Sequence, residues 1–260
     1  MKLLAKGLIL IFLLFFCFVN FPAYADDPLE DYPRPLGAHW GKRYHVETSG
    51  RSIIAIPGGY VVAGTQLGSI GPGIDTWATL VRFDLNGNVA ATKTFHEETD
   101  HNQAFDIIPS YDQDSNIDGY IITGSRHHAF SENGHNWYNP WVWLMKTDTA
   151  FEKQWESTFG DPEPDYGYSA INDGSGFVVS GKYSNPNESG YLIRTDESGH
   201  STWSIFSQTP WFLSPVVYSS VRSEDGGLIL ATSKGLKKLK SYTEDTPPPE
   251  PDSGERRWHE

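Results

Sequence analysis

Short apolar runs, separated by polar turns that contain glycine, recur along most of the chain. Four share one pattern: GGYVVAG from Gly58, DGYIITG from Asp118, SGFVVSG from Ser175 and GGLILAT from Gly226. In each, a turn glycine precedes an aromatic residue or leucine, and a β-branched or aliphatic run follows. With Gly59, Gly119, Gly176 and Gly227 as anchors, the offsets are 60, 57 and 51 residues. Self-similarity at such a period is the signature of a repeat architecture.

Other pieces recur in the same order. A short strand precedes each anchor: RSIIAI from Arg51, AFDIIP from Ala104, YSAIND from Tyr168 and YSSVRS from Tyr218. A second follows it: LVRFD from Leu80, LMKTD from Leu144, LIRTD from Leu192 and LKKLK from Leu236. A further element carries an aromatic pair: Trp40 with Tyr44, Trp155 with Phe159, Trp203 with Phe206, and Ala91 with Phe95 in the weakest copy. Residues four apart on a strand share a face, so a pair so spaced can fill one interface. No 3.6-residue apolar period is sustained, so no helix is expected beyond the N-terminal apolar run.

Units of four short strands at this spacing predict an all-β chain, a β-propeller of about four four-stranded blades. Each sheet would lie between two neighbours, so its strands can be apolar on both faces. The strand at Trp40–Tyr44 precedes the first unit, and the last unit ends on Leu236–Lys240. The N-terminal strand is therefore expected to complete the last blade and close the ring, hiding the open edges. The alternative is part of a larger propeller completed by another chain, which the divergent, lysine-rich LKKLK strand keeps open.

The repeats resemble those of secreted bacterial and archaeal β-propellers that read approximately DGGYIIAG, WLIKLD, a G-N turn and W-x-K-T-F-G. The matching stretches are GGYVVAG, TLVRFDLNGNVAATKTF and WLMKTDTAFEKQWESTFGD, and the resemblance spans residues 40 to about 240. It implies the propeller fold, and a binding or scaffold module more often than an enzyme. A fold shared by many activities says little about which one is present.

The ends of the chain suggest a compartment. Lys2 and Lys6, the apolar run Leu8–Phe18 and the small-x-small site Ala23-Tyr24-Ala25 predict a signal peptide over 1–25. An extended segment over 26–38, the propeller over 39–242 and a disordered, Pro-rich acidic tail over 243–260 complete the expected organisation. The lone cysteine, Cys17, falls inside the signal. Export without disulfides points to a secreted or periplasmic protein of bacterial type. The formal charge is −13, or about −15 once Lys2 and Lys6 are removed, with no basic stripe to offset it. That argues against nucleic acid and anionic membrane surfaces, and no stable membrane insertion is expected after cleavage. The expected state is a monomer with a protein or glycan ligand.

Candidate chemistry is sparse. No G-x-S-x-G elbow, P-loop or dinucleotide fingerprint occurs. In a propeller, the segments 96–103, 125–141, 160–167, 182–190 and 207–215 would emerge on one face. They carry His96, His101, His127, His128 and His135, with Trp137, Tyr138 and Trp141 in the longest. Three uses compete. Imidazoles could hold zinc, copper or nickel, although HxH and HExxH spacings are missing. Trp137, Tyr138 and Trp141, with His127 and His128, could contact a glycan or peptide. The aromatics could instead only pin a long loop. Glu97, Glu98, Asp100, Asp161, Glu163 and Asp165 lie in the same segments, so a carbohydrate-active hydrolase or lyase is the alternative function.

The remaining candidate is acidic. Asp112, Asp114, Asn116 and Asp118 alternate ahead of Gly119, like the first half of a calcium loop. No closing glutamate sits at the required spacing. A solvated hairpin turn, with Asp and Asn bonded to the local backbone, is the competing expectation.

Overall fold

The computed structural model describes residues 48–68, 75–96, 101–132, 135–160, 163–184, 189–206 and 215–248; for residues 75, 128–132, 135–138 and 206 it describes the backbone alone. The expected signal peptide over 1–25, the expected extended segment over 26–38 and the expected strand at Trp40–Tyr44 lie outside the described residues.

Fifteen strands form four antiparallel sheets, with no helix among the described residues. The first sheet runs β1 (Thr48–Ile56), β2 (Gly59–Gly68), β3 (Asp75–Asp84), β4 (Val89–Phe95). The second runs β5 (Asn102–Tyr111), β6 (Ile117–Glu132), β7 (His135–Asp148), β8 (Lys153–Phe159). The third runs β9 (Tyr166–Asn172), β10 (Gly176–Tyr183), β11 (Ser189–Asp196), β12 (Ser201–Phe206). The last has three strands among the described residues: β13 (Val217–Arg222), β14 (Leu228–Thr232), β15 (Gly235–Leu239). Each is a simple meander, as the four-part repeat predicts.

Alternation along the strands distributes the core. Ile122 and Met145 turn toward the first sheet, where they meet Val61, Ala63 and Leu80. Their chain neighbours Ile121 and Leu144 turn the other way and meet Val179 and Ile193 of the third sheet. Val178 and Leu192 in turn pack on Leu228 and Leu230 of the fourth. This is why the middle runs are apolar at consecutive positions: successive side chains enter different interfaces. Trp155 and Phe159 both join the core between the second and third sheets, as their spacing predicts, and Ala91 and Phe95 both join the core between the first and second.

No core among the described residues joins the fourth sheet back to the first. Ile53 on the first sheet is 62 % exposed, and Val221, Ile229 and Leu236 on the fourth are 53 %, 36 % and 74 % exposed. Apolar side chains on the outer faces of the end sheets are thus partly uncovered, although Val81, in the same row as Ile53, is 2 % exposed and Lys238 sits opposite Ile229.

The anchor glycines differ from the sequence reading. Gly119 is not the turn residue but the residue where strands crowd: an added Cβ would lie 1.9 Å from the Thr147 carbonyl oxygen. Gly59, Gly176 and Gly227 meet the Phe83, Thr195 and Leu239 carbonyls in the same way. Left-handed backbone belongs to the turn residues ahead of them, such as Gly58 (φ 82°) and Gly226 (φ 80°).

The chain stays docked beyond β15. Trp203 Nε1 donates to the Thr243 carbonyl at 3.1 Å, and the rings of Trp203 and Tyr242 meet edge-on with centroids 5.5 Å apart. Arg194 donates to the Glu244 carbonyl at 3.4 Å. The boundary expected at 242 therefore falls inside a segment packed on the third and fourth sheets.

Candidate functional site

The segment expected to be a long loop at 125–141 is a β-hairpin. β6 and β7 pair continuously from Gly119↔Asp148 out to Glu132↔His135. Pro140 is tolerated in β7 because β8 reaches only to Val142↔Phe159, so no neighbour needs the missing N–H there. Its carbonyl accepts from the Asp165 N–H at 2.7 Å.

Of the expected ligand residues, Trp141 and His127 have described side chains. Trp141 is half-buried, and a Cβ added at Gly160 would lie 2.9 Å from its ring. His127 is half-buried, its ring 5.2 Å from that of His101, and its N–H donates to the His101 carbonyl at 2.9 Å. The side chains of His128, Trp137 and Tyr138 lie outside the description, as do Glu97, Glu98, Asp100 and Asp161. Glu163 is exposed, whereas Asp165 is 1 % exposed. Burial, then the charge of Asp165, pushes the Tyr191 phenol well above its ordinary range.

The acidic stretch divides into two structural tasks. Asp112 Oδ1 accepts the N–H groups of Asp114 and Asn116, both at 2.9 Å, and Ser115 takes the left-handed conformation at φ 64°. The same five-residue turn links the third and fourth strands of three sheets. There Asp84, Asp148 and Asp196 each accept from the amides two and four residues on. Asp118 belongs to β6 and pairs with Lys146 at 3.0 Å. Burial works against its charge, but the Ser110 hydroxyl and Lys146 hold its carboxyl below the usual range. No group of three or more His, Cys, Asp or Glu side chains is placed to hold a metal among the described residues.

A different site emerges from strand register. Each first strand carries one extra residue against its partner. The shifts fall between Gly50 and Ser52, between Ala104 and Asp106, opposite Ser180/Gly181 in β9, and between Val217 and Ser219. The residues bulged out are Arg51, Phe105, Tyr168 and Tyr218, at equivalent positions of the repeat. A β-bulge re-aims a side chain, and bulges are over-represented beside functional sites. Here all four line a single cavity of about 410 Å³, together with Ser52, Asp106, Ser169 and Ser219.

The bulged side chains touch in sequence. Arg51 lies over the Phe105 ring at 5.6 Å. Phe105 meets Tyr168 edge-on at 5.5 Å, and Tyr168 stacks on Tyr218 at 6.0 Å. Tyr166 stacks behind Tyr168 at 6.1 Å. Tyr218 keeps 55 % of its surface exposed.

Asp106 fastens this lining. Its Oδ1 accepts from the Ser52 hydroxyl at 2.8 Å and the Ile107 N–H at 2.9 Å, and its Oδ2 accepts from the Ala170 N–H at 3.0 Å. One carboxylate thereby ties the first strands of three sheets. Burial pushes its pKa above the ordinary value of 3.8, and the hydrogen bonds from Ala170, Ser52 and Ile107 offset part of that rise.

Sequence reasoning missed these residues because it treated the first strands as structural. The available signal was an aligned column of Arg51, Phe105, Tyr168 and Tyr218, each followed by a small polar residue. Large side chains persist there although no core takes them up. Compared with protein-family models the chain matches none, and no curated protein matches it significantly.

Proposed function

We propose that the four sheets are blades of a β-propeller, and that the chain is an exported, non-enzymatic binding or scaffold module. Its protein or glycan ligand enters the cavity between the innermost strands. The observation that carries this reading is the β-bulge repeated at one position in all four sheets, aiming Arg51, Phe105, Tyr168 and Tyr218 at one space. A repeated distortion that buries nothing in the inter-sheet cores is explained by what it presents. Among the described residues the cavity is lined by a single carboxylate, Asp106, already engaged by Ser52, Ile107 and Ala170. Acid–base hydrolysis of a glycoside ordinarily takes two carboxyl groups across the bond, so binding is favoured over the hydrolase or lyase alternative.

In the same reading the strand within 39–47 completes the fourth blade and closes the ring of a monomer. Lys240 supports this. It stands where Asp84, Asp148 and Asp196 start a turn into a fourth strand, so the last unit lacks the residue that would bring the chain back. On this reading its fourth strand comes from the N-terminal segment, and Trp40 and Tyr44 would then fill the last interface as Trp155 and Phe159 fill theirs.

Peptide and glycan arrays probed with the wild type and with the Tyr168→Ala/Tyr218→Ala double variant test the function. Signals lost in the variant place recognition in the cavity. Signals that persist place it on the 96–103 and 125–141 segments. Blank arrays from a folded wild type would overturn the binding-module reading. Mass in solution separates a closed monomer from a piece of a larger ring.

A further inference from the structure

We infer that the cavity takes a neutral saccharide, its ring laid on Tyr218 and its hydroxyls met by Ser219 and Arg51; this rests on the reading of the cavity as the ligand site. The lining decides the class. The tyrosine faces suit the C–H face of a sugar ring: Tyr218 is backed by Tyr168 on one side at 6.0 Å and is otherwise 55 % exposed. Such a flat, rigid, amphipathic platform loses little conformational entropy on binding. The polar partners are hydroxyls and a guanidinium. Ser219 is exposed, and Arg51 brings a fork of N–H donors to the rim. Hydroxyls that both donate and accept suit a polyol better than a ligand with acceptors only.

Charge excludes the neighbouring classes. An aromatic enclosure in an acidic protein could hold a quaternary ammonium ion, but Arg51 already lies over the Phe105 ring at 5.6 Å and would repel it. An anionic polymer is opposed by the formal charge of −13, with Arg51 the only cation among the described lining residues and Asp106 beside it. The cavity, about 410 Å³, lies near the small end of the roughly 300–1,000 Å³ range of small-molecule sites. That is room for a terminal sugar or disaccharide rather than a folded peptide segment.

Calorimetric titration of the whole secreted chain with maltose, cellobiose, N,N′-diacetylchitobiose, digalacturonate and choline tests this. At least one neutral disaccharide is expected to bind. Tyr218→Ala should weaken it by about tenfold, the equivalent of roughly 1.4 kcal/mol, with an unchanged melting temperature. Tyr218→Phe, which keeps the platform, should retain most of the affinity. Binding of choline or digalacturonate alone, no binding by any neutral probe, or affinity indifferent to Tyr218→Ala would each overturn the inference. Peptide-array signals that depend on Tyr168 and Tyr218, with no sugar bound, would overturn the saccharide and leave the binding module standing. Blank arrays would remove both.

Discussion

Lys146 on β7 and Asp118 on β6 form an ion pair with Nζ and Oδ2 3.0 Å apart, and the pair is a property of the repeat. Arg194 holds Asp173 at 2.7 Å and Lys238 holds Asp225 at 2.5 Å from equivalent third strands. The first sheet has Pro57-Gly58 where the others offer a carboxylate. Arg82 accordingly turns to the next sheet, donating to the Thr149 carbonyl and the Tyr120 hydroxyl and lying 5.0 Å over the Phe151 ring.

Burial grades these pairs. Arg194 and Asp173 are 1 % and 3 % exposed, against 46 % and 55 % for Lys238 and Asp225. Removing one partner of a buried pair leaves an uncompensated charge, so Asp173→Ala should cost about 3–5 kcal/mol by urea denaturation. Replacing Arg194 by Met in the same chain should recover much of that loss. Asp225→Ala should barely move the midpoint, since exposed pairs contribute little. Equal costs at both sites would show that Arg194 is not buried in solution.

The acidic stretch carries the next expectation. Asp112 spends Oδ1 on its own turn amides and Asp118 is held by Lys146, so no converging set of oxygens remains for a divalent cation. Melting with and without millimolar calcium should give the same midpoint. A ligand at a hundred times its dissociation constant would add about 2.7 kcal/mol, which at this size is a rise of several degrees. Such a rise, abolished by Asp114→Ala, would restore a metal at Asp112, Asp114, Asn116 and Asp118.

These cases show which features could be read beforehand. The sheets were legible because Ile121 and Ile122 each need a different core, and only a sheet covered on both faces asks for that. The metal reading arose because one alternation of acids serves two unrelated tasks, a turn at Asp112 and a repeat ion pair at Asp118. The 125–141 segment resembled a loop because polar composition and Asn139-Pro140 say nothing of strands that keep pairing where their side chains need no core. The bulges were hidden for a stronger reason. One extra residue in a strand changes neither composition nor apolar spacing enough to notice, yet it decides where Arg51, Phe105, Tyr168 and Tyr218 point.

Asp106 makes the cavity wall sensitive to pH. Burial raises its folded pKa above the unfolded value near 3.8, so the folded state holds the proton more tightly. Its favourable contribution is full below the unfolded pKa and is lost as pH rises through the folded value. Asn at this position keeps an acceptor for Ser52 but points an N–H₂ at the Ala170 N–H, a pH-independent cost of about 1–3 kcal/mol. The stability advantage of wild type over Asp106→Asn should therefore be largest in acid and shrink as pH rises. Urea midpoints of both proteins across the acid range measure it. An advantage that grows with pH would mean the hydrogen bonds outweigh burial.

Gly119 tests the packing account of the anchor glycines. Its backbone is not left-handed, so no conformational strain is expected from alanine, only the clash of Cβ with the Thr147 carbonyl at 1.9 Å. Opening the β6–β7 pair enough to admit a methyl group should cost about 1–3 kcal/mol or more. Gly58→Ala, with open space around it but φ at 82°, should be destabilising through strain alone. Denaturation midpoints for both variants separate crowding from conformation, and a neutral Gly119→Ala would remove crowding as the reason for the anchor.

Ile229 decides whether the ring closes. It alternates with Leu228 and Leu230, which are fully buried against the third sheet, yet it is itself 36 % exposed on a face shared with Val221 and Leu236. On an open face, Ile229→Lys should change stability within about 0.5 kcal/mol, as surface substitutions do. In a closed ring that face meets the outer face of the first sheet around Ile53, and a lysine beside Lys238, the cross-strand neighbour of Ile229, would bring a second, unpaired charge into the interface. The loss should then be about 2 kcal/mol or more, and deleting residues 26–47 should remove the difference between Ile and Lys. A double-mutant comparison with Ile53→Lys sharpens the result. Non-additive costs mean the two faces meet in solution, whereas additive, small costs leave the series of sheets open.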